Sequence, residues 1–209
     1  MPNPMRSMSY SALTWLCVGL LLLLASCRST IDMRVDPDAP DMVGGANLRS
    51  QDIRTMADRM ARDFQASGVL TSAPRGERIS FHITSLVNES SDPINTRMIL
   101  TKLETELFRS LGGRVDVLDR SADGLEAVRA EREAKRAGAV TSKEGMKGDV
   151  LGSDYVLAGT IQDRVLQSGN LKSAYYLVTF KLTDLETTRK VWVGDYETKF
   201  ASEKSVIAR

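Results

Sequence analysis

The sequence predicts an α+β fold: a mixed sheet of about four to five strands with helices packed on it, ending in an antiparallel three-stranded meander. Three observations carry this. The first half of the chain from Ser50 alternates helical and strand patterns in the order helix, strand, helix, strand, helix. The last third, from Asp154, is rich in Val, Tyr, Thr, Leu and Phe. Two turn-forming stretches, Gln167-Ser168-Gly169-Asn170 and Glu186-Thr187-Thr188-Arg189, cut that third into three runs. A strand–helix–strand start needs a parallel pair, and a hairpin finish adds antiparallel strands to the same sheet.

Each element has its own reason. Ser50 is placed to cap a first helix with Asp52 in its first turn. Ile53, Met56, Ala57, Met60, Ala61 and Phe64 then recur on one helical face, and Ser67-Gly68 ends the run. From Arg78 to Val87 the pattern alternates, with Ile79, Phe81 and Ile83 against Ser80, His82 and Thr84. Asp92-Pro93 offers an N-cap followed by proline at the first helical position. Ile99, Leu100, Leu103, Leu107 and Leu111 form the stripe of a second helix closed by Gly112. Val115 to Leu118 is a short strand. Gly124 to Ala137, rich in Glu, Arg and Ala, is a solvated helix whose alternating charges pair along one face. Asp154–Leu166, Ala174–Leu185 and Val191–Phe200 make the meander. The expected core is Ile53, Phe64, Phe81, Ile83, Leu103, Leu107, Val156, Val178, Phe180 and Trp192.

The N-terminus carries a different signal. Leu13 to Leu24 is an apolar run about the length of a signal-peptide h-region, and shorter than the ~20 residues that cross a bilayer. Leu24-Ala25-Ser26-Cys27 follows. That order resembles the lipobox of bacterial lipoproteins. The resemblance implies that the segment before Cys27 is removed, that the Cys27 thiol carries diacylglycerol and that the new N-terminus is acylated. Two or more acyl chains anchor durably, at roughly 0.8 kcal/mol per buried CH₂. Arg28 stands where an acidic residue would retain a lipoprotein at the inner membrane; the resemblance therefore implies the outer membrane, facing the periplasm.

Residues 28–49 are rich in Asp, Pro, Gly and Arg and read as a flexible tether between lipid and domain. Such a stretch reaches at most ~75 Å extended, and about 25 Å as a coil. The expected organisation is thus 1–27 signal and lipidation site, 28–49 tether and 50–209 globular domain. From Cys27 onward basic and acidic residues balance at 27 each, which gives no argument for nucleic-acid binding. Cys17 lies in the removed segment and Cys27 would be acylated, so no disulfide is available to the domain.

Asp149 to Ile161 (DVLGSDYVLAGTI), Tyr176 to Thr187 (YLVTFKLTDLET) and Val191-Trp192 together resemble the LpoB group of penicillin-binding-protein activators, and more distantly CsgG and the N-terminal domain of TolB. Read from the residues alone, Gly159 admits a close neighbour, Asp184 to Thr187 shapes a turn and Trp192 covers a helix. The resemblance implies a regulator that docks on a class A penicillin-binding protein and raises its activity. A CsgG-like structural role in secretion is the alternative it leaves open. LpoB's long Pro/Gln-rich tether is replaced here by a short one.

Enzyme signatures are missing. The single histidine, His82, has no recognised partner motif, and G-x-S-x-G, H-E-x-x-H, the P-loop and G-x-G-x-x-G do not occur. The expected protein is not an enzyme, uses no cofactor or metal, and has a monomeric domain. Asp163 and Arg164 are a candidate ion pair at a sheet edge. Partner binding is expected on the exposed side of the meander and its first turn, at Asp163, Arg164, Asn170, Lys172 and Tyr175. Tyr175 is out of phase with Tyr176, Val178 and Phe180, so it faces away from that buried row, either to a partner or to a covering helix.

Overall fold

A computed structural model describes residues 33–72, 78–111, 113–141 and 150–204. The chain divides into two units, Met1–Asp36 and Pro37–Arg209, and all elements below belong to the second. They are α1 (Ser50–Ala66), a single helical turn (Val69–Ser72), β1 (Ile79–Asn88), α2 (Thr96–Leu111), β2 (Val115–Val117), α3 (Ala122–Arg136), β3 (Tyr155–Ser168), β4 (Leu171–Asp184) and β5 (Lys190–Glu203). One five-stranded sheet has the order β2-β1-β3-β4-β5. β1 is parallel to both β2 and β3, while β3, β4 and β5 form an antiparallel meander. This is the expected α+β architecture.

The helix starts differ from the expected ones for local reasons. Arg49 caps α1, and Asp52 accepts its backbone N–H at 3.0 Å. Ser50 lies inside the helix, with its N–H and hydroxyl donating to Asp41 at 3.0 and 2.7 Å. α2 begins after Asn95, whose side chain accepts from the Met98 N–H at 3.2 Å. Asp92-Pro93 stays in the preceding loop, because the Asp92 backbone carbonyl takes the Ile94 N–H and the Asn88 side chain. Gly112, the expected stop, is outside the described residues. α3 is capped by Ser121 and buries no residue, as its charge pattern indicated.

α1 and α2 lie against one face of the sheet. Met56, Met60, Phe64, Ile99, Leu103 and Leu107 meet Phe81, Leu157, Ile161, Val178, Phe180 and Leu182 in one cluster. Phe64 meets Trp192 edge-on at 5.2 Å, and the Trp192 Nε1–H donates to Asp63 at 2.9 Å. Gly159 serves this packing directly: a Cβ there would lie 2.7 Å from the Phe180 ring.

One expected core residue is corrected. Val156 faces the opposite side of the sheet; the inward residues of β3 are Leu157, Gly159 and Ile161. Ile83 is half-buried and packs against the core in phase with Ile79 and Phe81, and the bulge after it, between Ile83 and Ser85, gives the next inward place to Leu86. The first hairpin is also tighter than expected, with only Gly169-Asn170 between strands and Gly169 at φ 55°.

Residues 38–49 lie against the folded unit instead of leaving it at Ser50. Asp38 pairs with Arg54 at 2.5 Å, the Arg49 guanidinium stacks over Phe200, and Ala46 is 2% exposed beside Ala174 and Tyr176. Leu48 and Ile94 complete this second small core. The segment is too polar to fold alone, and it orders here because the meander supplies the apolar surface.

Candidate functional site

β1 ends at Asn88, opposite Ile161. Beyond that point the meander continues as a three-stranded arm whose inner face is covered by residues 46–49 and by the loop after β1. Successive side chains on a strand point to opposite faces. The outer face of the arm therefore carries Gln162 and Arg164 from β3, Tyr175 and Leu177 from β4, and Glu197 and Lys199 from β5. α1 and α2, packed on the inner face, leave it uncovered.

The five expected contact residues do not form one patch. Arg164 is exposed and directly opposite Tyr175 in the register, so these two share the outer face. Asn170 is at the hairpin tip, where its carbonyl accepts from the Lys204 N–H at 3.0 Å. Asp163 and Lys172 are on the inner side. Asp163 accepts from the Ser91 N–H at 3.0 Å and from the Ser91 hydroxyl. Lys172 donates to Asn47 at 3.4 Å. Asp163 and Arg164 form no ion pair with each other, since neighbours on a strand diverge; Asp163 fastens the loop after β1 instead.

Glu89, Gln162 and Leu177 on the outer face were missed by sequence reading. Glu89 accepts a hydrogen bond from Gln162 at 2.9 Å. With Arg164, Tyr175 and Leu177 it lines a shallow hollow of about 360 Å³. Glu89 lies in the loop after β1, and only the β1–β3 pairing brings it to Gln162. No local pattern in the sequence signals that approach. Desolvation at the sheet surface, and then Glu197 beside it, pushes the Tyr175 phenol above its ordinary value. An aromatic ring, a guanidinium, a carboxylate and an aliphatic side chain on a firm strand platform suit protein contact. They do not converge as an acid–base pair would.

His82 sits on the same outward phase of β1, far along the sheet. Its Nδ1 is 2.9 Å from the Ser153 hydroxyl. Burial, then Arg120, holds it below the usual histidine range, which favours the neutral ring. Among the described residues no cluster of His, Cys, Asp or Glu has the arrangement of a metal site. Among them, too, no helix is long and apolar enough to cross a membrane. Cys27 lies outside the described residues.

The fold and its outer surface thus define a small α+β domain with an open strand platform and a packed opposite face. The model of the peptidoglycan-synthase activator LpoB family matches residues 52–198, and the chain belongs to that family. No curated protein matches the chain. Among solved structures, the LpoB C-terminal domain from Escherichia coli is 14% identical, with 70% of this chain and 98% of that one covered and a TM-score of 0.39. The LpoB C-terminal domain from Salmonella enterica is 12% identical over 70% of this chain and 94% of that one, with a TM-score of 0.35. The lipoprotein GNA1162 from Neisseria meningitidis is 19% identical over 61% of this chain and 86% of that one, with a TM-score of 0.39.

Proposed function

We propose that this protein is an outer-membrane lipoprotein, acylated at Cys27 and facing the periplasm, whose domain binds a class A penicillin-binding protein and activates peptidoglycan synthesis. The observation that carries this reading is the family match over residues 52–198. The lipobox-like Leu24-Ala25-Ser26-Cys27 supports the anchor. Activation is a population shift: the domain favours the active form of the synthase only by binding it more tightly than the inactive form. The contact surface is the outer face of the arm, with Arg164 and Tyr175 at its centre and Asn170 at its tip.

The packing of residues 38–49 sharpens this proposal. Asp38 and Asp41 are bonded to α1. The chain from Cys27 to Asp38 has a contour length of at most about 37 Å at ~3.4 Å per residue. The domain works close to its own membrane, and the synthase must reach toward it.

The test is crosslinking in cells with mass-spectrometric identification of the captured partner, followed by a glycan-polymerisation assay with the purified pair. A captured synthase whose rate rises on adding the domain supports the proposal. A captured partner outside wall synthesis overturns it. The anchor is tested separately by Cys27→Ser. The variant should lose the mass of the acyl chains and leave the membrane fraction, and a variant as tightly bound as wild type would rule out acylation at Cys27.

A further inference from the structure

The edge of β1 on the β2 side is only partly occupied. β2 pairs with β1 at Ile79 to Phe81 and stops. The Leu118 N–H makes the last link, donating to the Phe81 carbonyl at 2.8 Å. β1 continues to Asn88. Ile83, two residues after Phe81, turns its backbone to the side that β2 has left, and among the described residues no strand lies there. A vacant strand edge offers backbone donors and acceptors to an extended chain.

This edge floors an open cleft of about 690 Å³. Arg97, Leu100 and Glu104 of α2 form one wall, and Leu118 and Asp119 form the other. α2 connects two parallel strands, so it runs back along them. Arg97 therefore stands toward the far end of β1, and Glu104 stands nearer the end of β2. About two helical turns separate them, ~10 Å along the axis.

The two ends of the cleft are opposite in charge. Glu104 is half-buried with no hydrogen-bond donor or cation bonded to it among the described residues. Burial, and then the neighbouring Asp119, raises its pKa, so a cation placed there would relieve both effects. Arg97 is exposed and makes no ion pair among the described residues. Arg120, the other cation of the cleft, donates to the Leu151 carbonyl. Leu100 offers an apolar wall between the charged ends.

We propose that this cleft binds a short extended peptide that prolongs the line of β2, with its ammonium end at Glu104 and Asp119 and its carboxylate end at Arg97. Backbone pairing to a sheet edge supplies affinity, and the charged ends fix direction and length. The ~10 Å between the ends matches about three residues of strand.

The test titrates trialanine into the full-length lipoprotein in detergent by calorimetry. Saturable binding is expected. N-acetylated trialanine should bind about tenfold more weakly, the scale of one lost charged contact, and so should trialanine with Glu104→Gln. Trialanine amide and Arg97→Ala should give a similar loss at the other end. Glu104→Gln keeps the side-chain shape, and an unchanged melting temperature in both variants shows that the fold is intact. No saturable binding to wild type overturns the proposal. So does equal binding of a peptide blocked at both ends.

Discussion

On one side of β4, Tyr176, Val178, Phe180 and Leu182 are fully buried; on the other, Tyr175, Leu177, Thr179 and Lys181 are only partly so. The two rows share one backbone and alternate residue by residue. In the inner row Val178, Phe180 and Leu182 meet helices and Tyr176 meets the segment before α1 and the loop before α2; each large apolar side chain there contributes about 1.5–3 kcal/mol by leaving water. The outer row meets no such helix, so its identity is nearly free of folding constraint. The comparison teaches a division of labour: the inner row holds the fold, and the outer row is available for recognition.

The hardest test of that division is at the centre of the inner row. Phe180→Ala should cost about 3–5 kcal/mol. Relaxation cannot fill the space, because the nearest neighbour on β3 is Gly159, which has no side chain to move in. Urea denaturation should show a lower midpoint at an unchanged slope. A loss below ~1 kcal/mol would break the comparison, since truncating a buried phenylalanine to alanine costs about 3–5 kcal/mol when the space stays empty.

Much of this was readable in advance, and the failures have physical causes. The stripe Ile53 to Phe64 and the stripe Ile99 to Leu111 were legible because a helix with one wet face leaves a 3.6-residue period. The meander was legible because turn chemistry breaks it at two places. The phase of β3 was not. Tyr155 to Ile161 is almost continuously apolar, as a strand between two others in mid-sheet can be, and it carries no alternation to read. Reading Val156 as inward put a side chain of the outer row into the core, and placing Asp163 together with Arg164 on the exposed side overlooked that neighbours on a strand face opposite ways. The packing of residues 38–49 was invisible for another reason. Ala46 meets Ala174 and Tyr176, well over a hundred residues away in sequence, and nothing local announces it.

At the edge of the inner face, a smaller effect sharpens the comparison. The Tyr176 hydroxyl donates to the Asp92 carboxylate and also to the Ala46 carbonyl at 3.4 Å. It ties the loop before α2 and the segment before α1 to one strand. Tyr176→Phe keeps the ring and removes the donor. The expected cost is about 1.5–3 kcal/mol, the range for a hydrogen bond to a charged partner. Hydrogen exchange should quicken at residues 46–52 and 92–95 while the centre of β4 stays protected. Uniform loss of protection would mean that these segments unfold with the core, not before it.

The smallest stability change, and the most telling functional one, belongs to the outer row. Tyr175 is one residue from Tyr176 and has the same ring, yet it faces Arg164 and the Glu197 side chain on the open platform. Tyr175→Ala should change stability by no more than about 0.5 kcal/mol, the usual range for a surface site. An aromatic beside an arginine on an otherwise rigid sheet has the character of an interface hot spot, where truncation costs 2 kcal/mol or more, roughly a thirtyfold loss of affinity. Partner capture should therefore weaken strongly while the melting temperature holds. Arg164→Ala should weaken capture in the same direction, and the double variant should lose less than the sum, because the two side chains stand opposite each other in the register. A large fall in melting temperature with unchanged capture would give Tyr175 a structural role and move the partner to another surface. The difference between the two rows would then lie in exposure alone and not in function.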